Sequence, residues 1–526
     1  MSQSAARLEF LTVSVYQQTK LTLSEPRTST RDTTKHFSFS INGRDAPQIN
    51  KRDSAILIAT VFVFVTARFW HLTSYGLFGD EVFTLWTAAQ NWKSLIASVV
   101  GDVVHPPLFY ALLKVWIELG GQSLLWLKLL PALLSIASIV PFILLCRELR
   151  LEPATTCLAL SLMAVNGFLI DHAQELRMYS LVVLLTLSSL WLFSRLINID
   201  GAARNIQAAL FAVNLLLVFS HYYGWVVVAL EFSYLLMWQR ERVKAFAIDM
   251  AVLVVCLTPW VYAVAKAARD NPSRVDFTWN RPPAASEIVG YYANLSGPLS
   301  YRLKVVGPAF VLSVFLTPII AWGRRVLGAN RESEKPAAFW WLVLFAFAPV
   351  ALAFVASHLL PQPVWAFRYL IVAAPAYFLI VAAAASRLKR KPVRTVAISL
   401  ILGWSCVSGF TQMIERDKIA WEPLVQSMIK AEAEPRAVRL YVTDSNIGNT
   451  IQFYLDQAGE TRFQISSTGS WDSLDDDRFW VALIRYKHET GPLLQDGLRG
   501  RGYTVGDSIE SEAAGHRAVM FPVGKR

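Results

Sequence analysis

The stretch SAILIATVFVFVTARFWHL at residues 54–72, followed by GLFGDEVFTLW at residues 76–86, decides the fold. The first stretch matches the ~20 apolar residues with which a helix crosses the hydrocarbon of a bilayer. Lys51 and Arg52 precede it, and basic residues that flank a span stay on the cytoplasmic side. We therefore predict a first transmembrane helix that leaves the cytoplasm and delivers residues 76–86 to the outer face.

The same apolar character extends along most of the chain. Of its 526 residues 54% are hydrophobic and only 17% are charged, whereas soluble domains carry about 25% charged residues. Further runs without Asp, Glu, Lys or Arg occupy residues 153–170, 178–194, 205–230, 250–265, 305–323, 336–367, 369–386 and 395–414. This composition excludes a soluble enzyme, a disordered scaffold and a fibrous protein. It predicts a polytopic α-helical membrane protein with about 11–13 transmembrane helices.

The excess of 50 Lys and Arg over 39 Asp and Glu is typical of the positive-inside pattern rather than of a nucleic-acid partner. Basic clusters at residues 195–204, 240–244, 324–325 and 387–391 are predicted to be cytoplasmic. The loops at 75–105, 171–179, 269–302 and 359–367, and the C-terminus, then lie outside. If every apolar segment crossed fully, the C-terminus would return to the cytoplasm. We therefore expect a re-entrant or split segment between residues 106 and 146.

Composition divides the chain into three parts. Residues 1–50 are rich in Ser, Thr, Gln and Arg, as in a disordered cytoplasmic leader or an upstream extension of the chain. Residues 51–414 form the transmembrane domain. In residues 415–526, β-type runs at 438–443 and 479–484 alternate with amphipathic stretches such as 421–433. This alternation predicts a small α/β domain on the outer side.

Asp80 and Glu81 are adjacent carboxylates among apolar residues at the membrane–water boundary. Charges at that depth are costly and mark functional sites. Neighbouring side chains do not share a helix face, so we expect the two carboxylates to have separate roles. Partial desolvation raises the proton affinity of a carboxylate, which suits a general base. A solvated pair of loop charges is the alternative.

The segment GDVVHPPLFY at residues 101–110 places Asp102 and His105 just before the helix that its two prolines open. With Asp80 and Glu81, these residues make a set of oxygen and nitrogen ligands suited to a divalent cation. A helix-capping aspartate beside a lone interfacial histidine is the alternative.

Three further polar islands interrupt the apolar runs: DHAQELRMY from residue 171, FSHYYG from residue 219 and WAFRYL from residue 365. Arg177 and Arg368 lie at the mouths of spans, where a forked guanidinium suits a phosphate oxyanion. Snorkelling of a long side chain is the alternative for Arg177. His221 lies on the same outer side, although a lone histidine in a span is more often a packed residue than a ligand.

All these islands lie on the predicted outer face, and the midspans are nearly bare of charge. A transporter instead places polar residues near the middle of its spans. The pattern favours an enzyme that acts on a lipid with a phosphate head group. A secondary transporter or lipid flippase, and a non-catalytic membrane scaffold, are the alternatives.

The order of the motifs DE, D-x-x-HPPL-x-Y, QE-x-R-x-Y, SHY and FRYL over residues 52–410 resembles the GT-C glycosyltransferases of the protein-mannosyltransferase-like superfamily. Within it, the chain is similar to the bacterial branch of aminoarabinose and galacturonic-acid lipid transferases. The resemblance implies a GT-C fold in the inner membrane, with the active site and a small C-terminal α/β domain in the periplasm. It also implies transfer of one sugar, with inversion, from a polyprenyl-phosphate donor to a lipid, glycan or protein acceptor.

The resemblance also implies roles for single residues. Asp80 matches the first-loop catalytic acid that deprotonates or orients the acceptor hydroxyl, and Glu81 matches its partner. Asp102 and His105 match the second-loop motif, and Asp102 with His221 matches the cation site of some members. Several relatives have Glu at the position of Asp102 and an accompanying Lys, and these departures weaken the transfer of the cation site.

The donor phosphate is assigned by the same resemblance. Arg177 and Tyr179 match the residues that contact it, and Arg368 and Tyr369 match the late outer-loop motif. Because a polyprenyl phosphate leaves readily once its charge is compensated, arginines can replace nucleotide-type activation. The hydrophobic spans then hold the lipid tail.

Overall fold

The apolar runs form a bundle of helices in the computed structural model of the protein. The structure describes residues 50–199, 203–272, 281–297, 306–328, 336–414, 418–432, 435–467, 476–486, 494–513 and 516–525, without the side chains of 306–308 and 336–337. The predicted leader, residues 1–50, lies outside these ranges except for Asn50. The Asn50 side chain accepts a hydrogen bond of 2.8 Å from the backbone of Asp53 and thereby caps the first helix.

Helices begin and end close to the polar islands. They are α1 (Lys51–Phe69), α2 (Asp80–Ala89), α3 (Trp92–Asp102), α4 (Leu108–Gly120), α5 (Leu124–Ala137), α6 (Ile139–Glu148), α7 (Pro153–Val165), α8 (Gly167–Ala173), α9 (Tyr179–Asn198), α10 (Arg204–Ser220), α11 (Gly224–Trp238), α12 (Arg240–Asp270), α13 (Ala285–Ser296), α14 (Val306–Gly328), α15 (Pro336–Leu359), a 3₁₀ helix (Phe367–Ala373), α16 (Ala374–Ser386) and α17 (Lys391–Ile414).

Seven helical segments of the described residues are long and apolar enough to cross a membrane: Leu124–Glu148, Tyr179–Asn198, Arg240–Asp270, Ala309–Gly328, Ala338–Leu359, Phe367–Ser386 and Lys391–Ile414. The pair α7 and α8 adds an eighth if its two parts count as one span. In Phe367–Ser386, 89% of the most apolar 18-residue stretch is buried, the largest share among these seven segments. The protein is therefore a multi-pass membrane protein.

Fewer segments meet these criteria than the about 11–13 predicted, because short helices replace several expected spans. α4 has 13 residues, α10 has 17 and α11 has 15. α1 has 19 residues, but four charged residues lie within it. The charge-free run 205–230 is divided by a turn at residues 221–223, which lies within the polar island FSHYYG.

A bend of 62° separates α7 from α8 at Asn166, inside the predicted run 153–170. The Asn166 side chain accepts a hydrogen bond of 3.0 Å from the backbone of Leu169 and caps α8. The buried guanidinium of Arg68 donates to the carbonyls of Met163 (2.9 Å) and Ala164 (2.6 Å) at the end of α7. The backbone groups that the bend frees are thus satisfied inside the bundle, as a lipid environment requires.

Glu231 contradicts the expectation that the midspans are nearly bare of charge. It lies in α11, is fully buried, and accepts hydrogen bonds from Ser189 (2.6 Å) and Asn214 (2.8 Å). These contacts connect α9, α10 and α11. The sequence pattern hid this cluster because Glu231 directly follows a run without charge.

A small domain with a mixed sheet follows α17, as the alternating pattern predicts. Its elements are α18 (Trp421–Ala431), β1 (Val438–Val442), α19 (Ser445–Gln457), β2 (Phe463–Ser467), β3 (Arg478–Tyr486), α20 (Leu494–Gly500), β4 (Tyr503–Val505), β5 (Ile509–Ala513) and β6 (His516–Lys525). The strand order is β2-β1-β3-β6-β4, with β5 also paired to β6. β1 is parallel to β2 and β3, and the pairs that involve β6 are antiparallel.

Side-chain alternation gives this sheet two packed faces. Leu440 and Val442 of β1 belong to the apolar cluster that also contains Val425 of α18 and Ile451 of α19. Tyr441, between them in sequence, belongs to the cluster on the opposite face. Both faces are therefore covered, and α19 lies on the side that meets the helical bundle.

Candidate active site

The predicted site residues come from five segments that the bundle brings together. These are the start of α2, the α3–α4 loop, the α8–α9 loop, the turn at residues 221–223 and the start of the 3₁₀ helix. Asp80, His105, Arg177 and Arg368 are connected through one network of hydrogen bonds. Glu81, although adjacent in sequence, belongs to a different ion pair.

Asp80 is the first residue of α2, and its carboxylate pairs with Arg368. The distance from Asp80 Oδ2 to Arg368 Nη1 is 2.9 Å, and the two side chains are 37% and 36% exposed. An ion pair that is this open is stabilised little against water. Either partner can therefore exchange the other for a ligand.

Glu81 forms a closed pair with Lys128 of α5. The distance from Glu81 Oε1 to Lys128 Nζ is 2.6 Å, and the side chains are only 5% and 2% exposed. The same carboxylate oxygen accepts a hydrogen bond of 2.7 Å from the backbone of Leu176. This geometry ties α2 to α5 and to the α8–α9 loop, and it leaves Glu81 little access to a substrate.

Asp102 and His105 hold Arg177 through the histidine ring. His105 Nδ1 lies 2.6 Å from Asp102 Oδ2, and its Nε2 lies 2.9 Å from Arg177 Nη2. A guanidinium only donates and a carboxylate only accepts. The ring is therefore neutral, with its hydrogen on Nδ1. Burial and the nearby Arg177 charge agree with this state, because both lower the pKa of His105.

Val103, between these two polar residues, has a left-handed φ of 56° at the end of α3. This conformation is a steric outlier for a β-branched residue, and such outliers cluster at functional sites. The turn that it makes allows His105 to reach back to Asp102, three residues earlier.

Arg177 is buried and donates from Nη1 to Thr84 Oγ1 (2.9 Å) and to the backbone carbonyl of Asp80 (3.2 Å). It thus holds the first turn of α2 through the main chain. Its Nε, with the hydroxyls of Tyr110 and Tyr179, is buried without a hydrogen-bond partner among the described residues. Buried polar atoms without partners are rare, so these three are candidates to contact a ligand.

The pKa of Asp80 is lower than the sequence predicts. Burial alone raises the pKa of this carboxyl, in the expected direction. The positive charges of Arg177 and Arg368 outweigh that effect and hold the pKa below its ordinary value of 3.8. The prediction of a raised proton affinity is therefore wrong, because it considered desolvation without the two arginines.

Aromatic rings line the side of the site near Arg368. The ring centroid of Tyr369 lies 5.1 Å from that of His221 and 5.8 Å from that of Tyr223. The ring centroids of Tyr179 and His221 are 6.4 Å apart. His221 Nδ1 accepts a hydrogen bond of 3.1 Å from the backbone of Tyr223. The three predicted residues Tyr179, His221 and Tyr369 therefore lie together, in ring contact rather than in polar contact.

The described residues do not form an evident cation site. No three His, Cys, Asp or Glu side chains come together among them in a way that could hold a metal ion. Asp102 is bonded to His105, and His221 Nδ1 faces a backbone N–H. The divalent cation stays a prediction, and no step below depends on it.

Several residues of the site were missed from the sequence. Lys128 is a charged residue inside an apolar helix, a signal that calls for a buried partner, but the sequence does not identify Glu81 as that partner. Thr84 and Tyr110 are ordinary helix residues that only the packing brings to Arg177. Thr450, which accepts a hydrogen bond from the backbone of Gly79, comes from the C-terminal domain.

A second charged cluster adjoins the site. Burial raises the pKa of Glu175, but Lys418 and His172 outweigh it and hold the pKa below its usual range. The His172 ring lies 3.0 Å from Glu175 Oε2. Lys418 belongs to the link between α17 and α18, so the C-terminal domain begins beside this cluster.

Comparison with known proteins agrees with the motifs. No protein-family model matches the sequence, and no curated protein does. The chain is similar to the crystal structure of ArnT from Cupriavidus metallidurans bound to undecaprenyl phosphate, with a TM-score of 0.52 at 12% identity over 89% of this chain and 97% of that one. The apo structure of the same ArnT gives a TM-score of 0.52 at 14% identity over 89% of this chain and 98% of that one.

The protein thus shares the fold of ArnT, which agrees with the GT-C fold that the motif resemblance implied. It is a multi-pass GT-C-fold membrane protein with a small strand-containing domain at its C-terminus. The predicted resemblance is confirmed at the level of the fold.

Proposed function

We propose that the protein is a membrane glycosyltransferase that moves one sugar from a polyprenyl-phosphate donor to a hydroxyl of a lipid, glycan or protein acceptor. The open ion pair of Asp80 and Arg368 carries this proposal, because it offers a base and an anion-binding group side by side. The GT-C fold supports it, as does the undecaprenyl phosphate bound to ArnT. We place the reaction on the periplasmic face of the inner membrane, following the predicted charge pattern.

Arg368 is the first candidate to bind the donor phosphate. Its guanidinium pairs with the Asp80 carboxylate, whose side chain is itself 37% exposed. A phosphate that approaches can take the place of Asp80 and form a forked pair with Arg368. Arg177 Nε and the Tyr179 hydroxyl, which have no hydrogen-bond partner among the described residues, supply further donors. Compensation of the phosphate charge makes the polyprenyl phosphate a better leaving group.

Asp80 is the candidate base. Once the phosphate occupies Arg368, the Asp80 carboxylate loses a neighbouring positive charge and accepts a proton more readily. The acceptor oxygen then attacks the anomeric carbon from the face opposite the phosphate, and its proton passes to Asp80. The bond between carbon and phosphate oxygen breaks with its electron pair on the phosphate. The sugar is transferred with inversion.

The polar network behind these groups has a positioning role. Asp102 accepts a hydrogen bond from His105 Nδ1, and His105 Nε2 accepts one from Arg177. Arg177 in turn donates to the backbone carbonyl of Asp80. Glu81, the residue that follows Asp80 in α2, is anchored by its ion pair with Lys128. Such support is what keeps a base within reach of a reacting atom.

Mass spectrometry of cell-envelope glycolipids and glycans tests the proposal. The strains are a deletion strain and the same strain with wild-type, Asp80→Asn or Asp456→Asn protein at equal level. Asp456 is an exposed carboxylate of α19 and serves as the matched control. We expect one sugar-sized mass increment to disappear in the deletion and Asp80→Asn strains and to return with wild type and the control. Full restoration by Asp80→Asn would contradict a base at this position.

Transport remains the second candidate because Glu231 is a buried carboxylate within the bundle. Its oxygens are occupied by Ser189 and Asn214, an arrangement typical of contacts between helices in membranes. A strain with Glu231→Gln separates the two functions. A transporter requires Glu231 and tolerates Asp80→Asn, whereas the proposed transferase shows the reverse dependence.

A further inference from the structure

The C-terminal domain contacts the segment that leads into Asp80. The backbone N–H of Gly79 donates a hydrogen bond of 2.7 Å to Thr450 Oγ1 of α19. The hydroxyl of Tyr454, one turn further along α19, donates to the carbonyl of Leu77 at 3.1 Å. Partners in these bonds are 371 and 377 residues apart in sequence.

Close packing accompanies the hydrogen bonds. The rings of Phe78 and Trp421 are stacked at 5.9 Å with an angle of 5° between their planes. A Cβ atom added at Gly76 would lie 1.8 Å from the Tyr454 hydroxyl, and one added at Gly79 would lie 2.9 Å from Asn446. Both glycines therefore permit an approach of α19 that no other residue allows.

The Thr450 hydroxyl is free to act as the acceptor in its contact with Gly79. The hydroxyl itself donates to the carbonyl of Asn446 at 2.7 Å, one turn earlier in α19. The hydroxyl hydrogen is thus committed, and the oxygen lone pairs face Gly79 as acceptors. Thr450 is fully buried, so the Gly79 N–H would have no solvent to replace this acceptor.

The first turn of α2 is bonded by side chains from outside the helix as well as by its own. Gly79 occupies the N-cap position with a φ of 29°, and a glycine has no side chain with which to cap a helix. Asp80 follows immediately, at the helix end where fraying begins. Among the described residues, Thr450 of the C-terminal domain bonds the backbone N–H of Gly79. Arg177 of the bundle and Thr84 of α2 itself bond the carbonyl of Asp80.

We propose that the C-terminal domain is a component of the active site, in which α19 positions the segment 76–79 and thereby Asp80. Thr450 and Tyr454 are positioning residues in this scheme and do not touch the substrate. The inference rests on the proposed function, in which Asp80 is the base. It assigns the C-terminal domain a role in the chemical step rather than in acceptor binding.

Kinetics of the full-length protein test the inference, with purified wild type, Thr450→Val/Tyr454→Phe, Thr450→Ser and Asp456→Asn. The substrates are an undecaprenyl-phosphate sugar and the acceptor that the envelope comparison identifies. Val and Phe keep the shapes of Thr and Tyr, so the double variant should fold. We expect its kcat to fall about tenfold or more with the KM values within about twofold, because misplacement of a base affects the chemical step. Thr450→Ser, which keeps the hydroxyl, should retain the wild-type rate, and Asp456→Asn should match wild type.

Hydrogen exchange of the same proteins provides a readout that is independent of activity. Backbone amides of residues 76–82 should exchange faster in the double variant, and those of β1 should not change. Unaltered kcat together with unaltered exchange would overturn the inference. A raised acceptor KM at constant kcat would also overturn it, in favour of acceptor binding by this domain. If wild type transfers no sugar, the proposed function fails, whereas the exchange result still decides whether α19 holds the segment.

Discussion

Asp80 and Glu81 are neighbours in sequence, yet their ion pairs have opposite characters. The pair of Asp80 with Arg368 is more than one-third exposed on both sides. The pair of Glu81 with Lys128 is almost completely buried and carries a third contact from the backbone of Leu176. The start of α2 thus places a solvent-exposed ion pair next to a buried one.

The contrast shows how a membrane protein can hold a charged carboxylate in an open position at a helix end. Breaking a buried pair leaves a charge without compensation, which costs about 3–5 kcal/mol, whereas a surface pair contributes about 0–1 kcal/mol. The buried pair of Glu81 therefore fixes α2 in place. The open pair of Asp80 contributes little stability, so its separation would not cost the fold.

Removal of the Asp80 charge should produce the largest change in activity. Because general bases contribute about 10²–10⁴-fold, we expect Asp80→Asn to lower kcat by that factor. Its melting temperature should stay near that of wild type, since the open pair adds little stability. Transfer assays and thermal melts of purified protein measure both quantities. If Asp80→Asn instead lowered the melting temperature strongly and kept a normal kcat per folded molecule, Asp80 would be the structural carboxylate rather than the catalytic one.

Removal of the Lys128 charge should act on stability instead. Lys128→Ala leaves Glu81 buried without its partner, and we expect the free energy of unfolding to fall by about 3–5 kcal/mol. The double variant Glu81→Gln/Lys128→Met removes both charges and should recover much of that loss. Thermal unfolding in detergent compares the two variants. Equal melting temperatures for them would show that the pair is not a buried ion pair in the protein.

Asp102→Asn should have an intermediate effect. The asparagine amide can donate to His105 Nδ1, and the ring hydrogen then moves to Nε2, where it opposes Arg177. We expect a fall in kcat of roughly 10–100-fold, as for other groups that orient a functional side chain. His105→Gln, whose carbonyl can still accept from Arg177, should retain more activity than Asp102→Asn. The reverse order would show that the histidine itself takes part in the reaction.

The pH dependence should give the smallest effect. Asp80 has a pKa below 3.8, so its carboxylate is ionised at neutral pH and is lost only as the pH falls through that low value. We expect kcat/KM to be flat from about pH 7 to about pH 5. In Arg368→Gln the residual activity should fall at a higher pH, because one positive neighbour is gone. If kcat/KM fell at the same acidic pH in wild type and in Arg368→Gln, Asp80 would be excluded as the group that titrates.

Much of the fold was predictable from residues 54–414, because an apolar run long enough to cross the hydrocarbon of a bilayer indicates a helix. The short runs at 438–443 and 479–484 became β1 and β3 for a similarly local reason, because they are rich in the β-branched and aromatic residues that favour strands. The number of spans was harder to predict. The island from residue 219 marks an interruption of the charge-free run 205–230, but only the structure shows that it makes a turn between two short helices. Glu231 was missed because its partners come from two other helices.

The sequence by itself determined the membrane architecture, the α/β character of the C-terminus and the polar segments that form the site, since these depend on local composition and order. Only the tertiary structure decided that Asp80 faces Arg368 while Glu81 faces Lys128, and that Asp102 acts on Arg177 through His105. It also decided that α19 of the C-terminal domain supports the start of α2. Pairings of this kind depend on side chains far apart in the chain, and the pKa of Asp80 depends on the sum of their charges.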